Sequence, residues 1–428
     1  MSVTVETLDG LERRLTLNLN PAAIEAEIGK RLQKLARTVK VDGFRPGKAP
    51  MRMVAARFGS DVRGEVMGDA LQQRFIEEVQ AQKLDVAGYP RFAAGQNGTF
   101  TATFEVFPVI TMGDVTQIQV SRPSVEVGEA DVDRTLDVLR KQRVAYHTVA
   151  RPAQNGDRVH VDYQGTIDGQ VFQGGEAKDF PVILGEGRTL NDFEGSLMGM
   201  QADETKQFDV TFPADYFAKE LAGKTAAFSA TVKSVQEAVL PEVDDDFART
   251  LGIKEGGPAK LREEIASNLH READRRIHVM VKEQIMDGLL AITPFDVPKG
   301  LVAMEIRTMR ERAVNDLKAR GMKEQDIKLG DDVFEPQARR RVSLSLLLSG
   351  FASANNIEAG DAQVRSKVEE FAQSYEDPTE VISWYYRDKE RMDEVRAMVV
   401  EDNIVDMILG RAQVSDAPTT LEALMGKD

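Results

Sequence analysis

The sequence predicts a multidomain α+β chain, with an N-terminal α+β domain, an antiparallel β domain in the middle and an all-α C-terminal region. Three observations carry this prediction. The chain has 428 residues, which at roughly 150 per domain asks for about three domains. Nine of its 27 aromatic residues fall between His160 and Val235, where short β-like runs alternate with glycine turns. On both sides of that segment the apolar residues recur at helical spacing.

Within the first 112 residues, two alternating runs (Val3 to Thr7 and Leu11 to Leu19) read as strands. A helix follows. Asn20 can cap it, Pro21 suits its first turn, and Ile24, Ile28, Leu32, Leu35 and Val39 recur at spacings of four, four, three and four. Met51 to Phe58 and Val62 to Gln82 read as two further helices. Thr99 to Phe107 reads as a strand with Phe100, Ala102, Phe104 and Val106 on one face.

After Pro108 an extended connector, Ile118 to Val127, leads to a helix with Val132, Leu136 and Leu139 on one side. The β-rich middle follows, with runs such as Val159 to Gly165 and Phe208 to Phe212. From about Pro241 the pattern is helical to the end. Val302, Ile306, Met309, Ala313 and Leu317 make one stripe, and Val364, Val368, Phe371 and Tyr375 make another. Two apolar runs, Val342 to Phe351 and Val395 to Leu409, also lie there. A bundle and an open set of helical arms both satisfy these stripes.

Composition excludes several classes of function. There is no cysteine, so disulfides, thiol nucleophiles and cysteine zinc sites are ruled out, and four scattered histidines make a structural metal improbable. No cofactor is expected. The formal net charge of −15 argues against a surface that coats nucleic acid, and no DNA partner is expected. The first residues lack the basic and then apolar regions of a secretory signal, and no run approaches about 18 apolar residues, so a soluble, cytoplasmic chain without a membrane partner is expected.

Charge is unevenly distributed. The first 112 residues hold 15 basic and 13 acidic residues, and the remainder 40 and 57. Gly43-Phe44-Arg45-Pro46-Gly47-Lys48-Ala49-Pro50 cannot continue a helix. It is either a turn with Phe44 folded back on the core or a docking tip carrying an aromatic and two cations. Arg52 and Arg57 follow it, and a basic tip on an acidic body suits an anionic partner.

This loop, on an acidic cysteine-free chain of this length, resembles the signature loop of the bacterial trigger factor family of ribosome-associated chaperones. The resemblance extends over essentially the full length. It implies a ribosome-binding domain (1–112), a connector packed on the helical domain (113–149), an FKBP-type prolyl isomerase domain with a short helix (150–238), and a helical chaperone domain with extended arms (239–428). It also implies that Phe44, Arg45 and Lys48 dock on the large ribosomal subunit, protein and rRNA, near the exit tunnel. The further partners implied are unfolded nascent polypeptides and, away from the ribosome, a second copy in a weak homodimer. Pro46 stands where some members carry a further basic residue.

In the middle segment the aromatics could simply be the core of a small β domain. Val161-Asp-Tyr-Gln-Gly165, Gly169-Gln-Val-Phe172, Phe180-Pro-Val-Ile-Leu-Gly185 and Asn191-Asp-Phe-Glu-Gly195 nevertheless resemble, in order and spacing, the FKBP-type pattern. Position by position, the resemblance implies that Tyr163, Phe172, Phe180, Leu190, Phe193 and Phe228 line the proline pocket. Phe193 takes the floor, where small members often have tryptophan. Gln173 replaces an acidic residue at the edge, and a short loop before Phe228 implies a more open pocket.

Such an enzyme needs no nucleophile, acid or metal. Rotation about an X-Pro bond meets a barrier of about 20 kcal/mol from amide resonance, and a pocket that removes water from the imide lowers it. Two other functions remain open on the residues alone: a soluble isomerase with no ribosome role, and an inactive peptide-binding module. Gly185-Glu-Gly187 reads as a turn, Asp244 to Asp246 as a helix start, and His270 and His278 as solvated. Met304, Met309 and Met322 could add adaptable apolar surface.

Overall fold

The computed structural model describes residues 5–40, 44, 48–95, 99–216, 218–373, 375 and 377–426. They group into two compact units, one of residues up to 122 with 279–417, the other of 123–278 with the residues from 418.

The first unit begins with β1 (Val5–Thr7), β2 (Glu12–Asn18), α1 (Pro21–Thr38), α2 (Met51–Ala81), β3 (Val86–Ala94) and β4 (Thr99–Val106). The strands form an antiparallel sheet in the order β1-β2-β4-β3. Leu15 and Leu17 of β2 with Ala102 and Phe104 of β4 bury one face against Leu71 and Phe75 of α2. Phe75 meets Phe92 and Phe104 edge-on, at ring separations of 5.9 and 5.0 Å. Asn20 caps α1 by accepting from the Ala22 and Ala23 N–H groups, and Ile24, Ile28 and Leu32 pack on Val54, Val62 and Val66 of α2.

Two features differ from the sequence expectation. The expected pair of helices after residue 50 is one helix of 31 residues. Gly59 disfavours a helix by only about 1 kcal/mol, whereas Val54, Phe58, Val62 and Val66 continue one stripe across it into the α1 contact. Strand β3 was absent from the expectation because Gly88 and Pro90 break the alternation. It is tolerated as an edge strand whose pairing shifts register between Ala87 and Arg91, with Gly88 at φ +84°.

The chain continues with β5 (Gln119–Ser124), α3 (Glu129–Gln142), β6 (Ala145–Val149), β7 (Arg158–Ile167), β8 (Gln170–Ile183), α4 (Asn191–Leu197), β9 (Thr205–Thr211) and β10 (Thr225–Val239). Strands β6 to β10 form one antiparallel sheet in the order β6-β10-β7-β8, with β9 also paired to β10. Val149 lies opposite Val235 and Ala145 opposite Val239, so the sheet's first and last strands run side by side. Next come α5 (Asp245–Thr250), which Asp244 caps through the Phe247 N–H, and α6 (Gly257–Ile292). Val132 and Leu136 of α3 pack on Phe247, Leu261 and Ile265.

The helical elements are α7 (Lys299–Ala319), α8 (Asp331–Asn355), α9 (Asp361–Ala372), α10 (Pro378–Tyr386) and α11 (Lys389–Leu409). Glu105 of β4 receives the first N–H groups of α7, those of Lys299 and Gly300, at 3.0 and 2.6 Å. That ties the N-terminal sheet to the helical part by capping otherwise unpaired donors with a negative charge. Val302, Ile306 and Met309 pack against Ala338 and Val342 of α8. Val364 and Val368 pack against Met392, Val395 and Val399 of α11. Tyr375, expected on that stripe, lies past the end of α9 and is exposed, because the helix stops at Ala372. The helical run closes with β11 (Gln413–Pro418), a strand paired to β5 that the sequence reading did not resolve, and α12 (Leu421–Met425).

Nothing lies within 4 Å of a methyl group built on Gly59. Gly59→Ala should therefore raise stability against denaturant by about 0.5–1 kcal/mol. A decrease would mean that α2 is not continuous there.

Candidate active site

The site is built on the pairing of β7 with β10. Phe228 of β10 sits opposite Gly165 of β7, and Tyr163 opposite Ala230. A side chain at Gly165 would come within 2.6 Å of the Phe228 ring, so the absence of a Cβ there is what admits the ring.

On the other side, β8 is out of step with β7 at two places, between Val161 and Tyr163 and between Gln164 and Thr166. Such irregularities re-aim side chains, and here they bring both Phe172 and Phe180 to the same cavity. The residue before Phe180, Asp179, has φ +52°. Its N–H donates to Asp162, and its carboxylate lies 2.9 Å from His160 Nδ1, so the bulge is held from two neighbouring β7 side chains. The His160 Nε2 is buried without a partner.

The third wall comes from α4, whose cap residue Leu190 has no side chain able to close the helix start. Glu194, one residue after Phe193, instead anchors the turn that leads into the helix. Its carboxylate accepts from the N–H groups of Gly185 (2.9 Å), Gly187 (3.3 Å) and Thr189 (3.0 Å) and from the Thr189 hydroxyl (2.9 Å). Burial works against its charge, but these donors outweigh burial and hold the carboxyl below its ordinary range. The turn of residues 185–189 is thereby fixed to the helix that carries Phe193.

Tyr163, Phe172, Phe180, Leu190, Phe193 and Phe228 all line one cavity of about 300 Å³. Phe193 and Phe228 are buried, and Phe180 is exposed at the rim. Tyr163 meets Phe180 and Phe193 edge-on at 5.7 and 5.4 Å, and Phe193 meets Phe228 at 5.4 Å. Burial, and secondarily Tyr216, push the Tyr163 phenol up, so its hydroxyl keeps its proton at neutral pH. Phe212, Tyr216 and Leu221 also line the cavity and were not among the expected residues. The spacing Phe212-x-x-x-Tyr216 was available as a signal, but Phe212 reads equally well as core. Glu194 was missed as a residue with a role because a glutamate in a seven-residue helix looks solvated until its four donors are seen.

At the predicted docking loop, Phe44 is 38% exposed, and Lys48 is exposed. Arg45, with Gly43, Pro46 and Gly47, lies outside the described residues. Met304 and Met322 are exposed, whereas Met309 packs between α7 and α8. No group of three His, Cys, Asp or Glu among the described residues could hold a metal ion, and no helix of the described residues is long and apolar enough to cross a membrane.

Residues 149–233, which hold this aromatic cavity, match the model for FKBP-type peptidyl-prolyl cis-trans isomerase. Residues 1–139 match the model for bacterial trigger factor protein, and residues 259–410 match the model for its C-terminus. Trigger factor of Aromatoleum aromaticum is 46% identical over 431 residues, covering 100% of this chain and 99% of that one. Trigger factor of Nitrosospira multiformis is 47% identical and covers 100% of both. A solved structure of the trigger factor chaperone aligns over 96% of this chain and 99% of its own, at 18% identity and a TM-score of 0.47. The chain belongs to the bacterial trigger factor family, a ribosome-associated chaperone with peptidyl-prolyl cis-trans isomerase activity.

Replacing Glu194 with Gln leaves backbone donors facing an amide that cannot accept from all of them, and should cost about 1–3 kcal/mol at neutral pH. Because the folded pKa is lowered, this contribution is present above the unfolded carboxyl value of roughly 4.3 and is lost as pH falls through the folded value. The stability gap between wild type and Glu194→Gln should therefore close in acid. Denaturant titrations across pH 3 to 7 read it, and a gap that persists or widens in acid would contradict the assignment.

Proposed function

We propose that this chain docks through the Phe44 to Lys48 loop beside the polypeptide exit tunnel of the large ribosomal subunit, shields emerging nascent chains and isomerises their X-Pro bonds. The observation that carries the isomerase assignment is the convergence of Tyr163, Phe172, Phe180, Leu190, Phe193 and Phe228 on one cavity.

The chemistry follows from that enclosure. A proline ring seated against Phe193 and Phe228 loses its water, and so does the imide beside it. Without water the charge-separated resonance form of the amide is destabilised relative to the twisted transition state, in which nitrogen and carbonyl are no longer conjugated. A backbone N–H offered to the twisting unit adds to this. The donor we assign is the N–H of Leu190; this reading is supported by its position on the cavity lining, after a turn fixed by Glu194. No covalent intermediate and no proton transfer are required.

The docking assignment rests on the exposure of Phe44 and Lys48 and on the charge around them. Arg52 stands in the first turn of α2, whose start has no side-chain cap. A cation there is unfavourable for the helix itself and is relieved by an anion such as an rRNA phosphate. Residues 1–112 would form the docking domain, 113–149 the connector, 150–238 the isomerase domain and 239–428 the chaperone domain. Exposed Met304 and Met322 fit adaptable contacts with clients. We place the protein in the cytoplasm, with weak self-association away from the ribosome. The alternative of an isomerase that never meets the ribosome is not favoured, because the trigger factor relatives align over the whole chain.

Two experiments test this reading. Changing Phe44, Arg45 and Lys48 together to Ala should abolish salt-sensitive cosedimentation with ribosomes, and unchanged association would remove the docking loop from the account. Phe193→Ala should reduce catalysis of proline-limited refolding at least tenfold, and undiminished catalysis would mean that the pocket is elsewhere.

A further inference from the structure

β8 carries an extra residue where it reaches the cavity rim. Val161 pairs with Phe180 and Tyr163 with Ala177, so the single β7 residue Asp162 faces two on β8, Lys178 and Asp179. This count decides where Phe180 points. Opposite residues of an antiparallel pair share a face, and successive residues alternate between faces. With the extra residue, Phe180 shares the face of Val161 and Tyr163 and meets the Tyr163 ring edge-on at 5.7 Å. Without it, counting on from the Tyr163 and Ala177 pair would set Phe180 opposite His160, on the other face of the sheet.

The extra residue is accommodated at Asp179, whose φ is +52°. Asp enters this left-handed region when its side chain finds a local hydrogen bond. Two contacts keep it there, and they do different things. The Asp179 N–H donates to Asp162 Oδ1 at 2.8 Å, which fixes the peptide before Asp179 but leaves rotation about its N–Cα bond free. His160 Nδ1, 2.9 Å from Asp179 Oδ1, fixes the direction of the side chain. A fixed peptide and a fixed Cβ direction together define φ.

A carboxylate only accepts, so Nδ1 carries the hydrogen and the bare Nε2 is the nitrogen buried without a partner. A buried acceptor left unsatisfied lowers stability. The contact itself restores little, because the Asp179 side chain is 76% exposed. An apolar side chain of similar size would serve the fold as well. What the imidazole adds is direction.

From this we infer that His160 is a positioning residue of the isomerase: through Asp179 it keeps Phe180 turned to the cavity rim, where the ring completes the exclusion of water from the twisting X-Pro unit. The inference rests on the cavity being the isomerase site. Phe180 is 36% exposed, so its backbone rather than its packing sets its place. The buried floor rings, Phe193 and Phe228, belong to α4 and β10. Loss of the His160 contact therefore leaves a client proline seated but less enclosed in the transition state, which lowers kcat more than it raises KM.

The test uses the full-length protein and an X-Pro peptide whose cis-trans exchange is followed by NMR. His160→Leu should lower kcat about three- to tenfold, with KM changed by less than about twofold. It should also weaken the nuclear Overhauser effect between the Phe180 and Tyr163 rings, and leave the denaturant midpoint equal or higher. His160→Asn, which offers an N–H donor at nearly the place of Nδ1, should restore most of the lost kcat and the ring contact. In an Asp179→Gly background, where glycine takes the left-handed conformation unaided and the carboxylate is gone, His160→Leu should lower kcat no further. The inference is overturned by an unchanged kcat in His160→Leu, by a failure of Asn to restore it, or by the same loss recurring in the glycine background. A fall in stability large enough to account for the lost rate would overturn it too, since His160 would then be structural only. Failure of the site assignment looks different, because Phe193→Ala would then leave catalysis undiminished whatever His160 does.

Discussion

The aromatic cavity depends on one strand. β10 is hydrogen-bonded to β9 over residues 225–231, to β7 over 227–236 and to β6 over 235–239, and it inserts Phe228 between the rings of Tyr163, Phe172 and Phe193. Because β6 and β10 lie side by side, the domain begins and ends on neighbouring strands, and the cavity lies within the stretch they bracket. Loss of the β10 register would turn Phe228 to the opposite face and dismantle two walls together.

Around that strand the cavity is a balance between enclosure and access. Phe193, Phe212 and Phe228 are buried and give a rigid floor, while Phe180 at the rim and the open turn carrying Arg188 leave a way in. Glu194, His160 and Asp162, which anchor the surrounding backbone, are not among the cavity-lining residues. Glu194 fixes the turn from behind, and His160 with Asp162 fixes the bulge before Phe180. Edge-on ring contacts at 5.4 to 5.7 Å add about 0.5–1.5 kcal/mol each beyond the area buried, so the walls resist collapse when the cavity holds no proline.

Much of this was legible in the sequence. α1 was readable because its cap, its first-turn proline and its stripe agree at every level. The six wall residues were readable only through resemblance, since alternation within β7 and β8 does not reveal two register shifts that decide where Phe172 and Phe180 point. The merging of two expected helices into α2 was hidden by Gly59, a residue whose local preference is overruled by packing on α1. β3 was hidden by Gly88 and Pro90, and β11 by its place behind a long helical run, with its partner β5 nearly three hundred residues earlier. The Glu194 clamp could not be read at all, because its donors are backbone groups of a turn whose path the sequence does not specify.

The central claim is that client prolines are desolvated inside a box of aromatic rings. Ring currents make this directly observable. In NMR spectra of an X-Pro peptide titrated with the full-length protein, the proline ring protons should move upfield by more than any other peptide resonance, and the effect should disappear with Phe193→Ala. Shifts that are spread evenly along the peptide, or that leave the proline ring unmoved while exchange is still catalysed, would contradict the account.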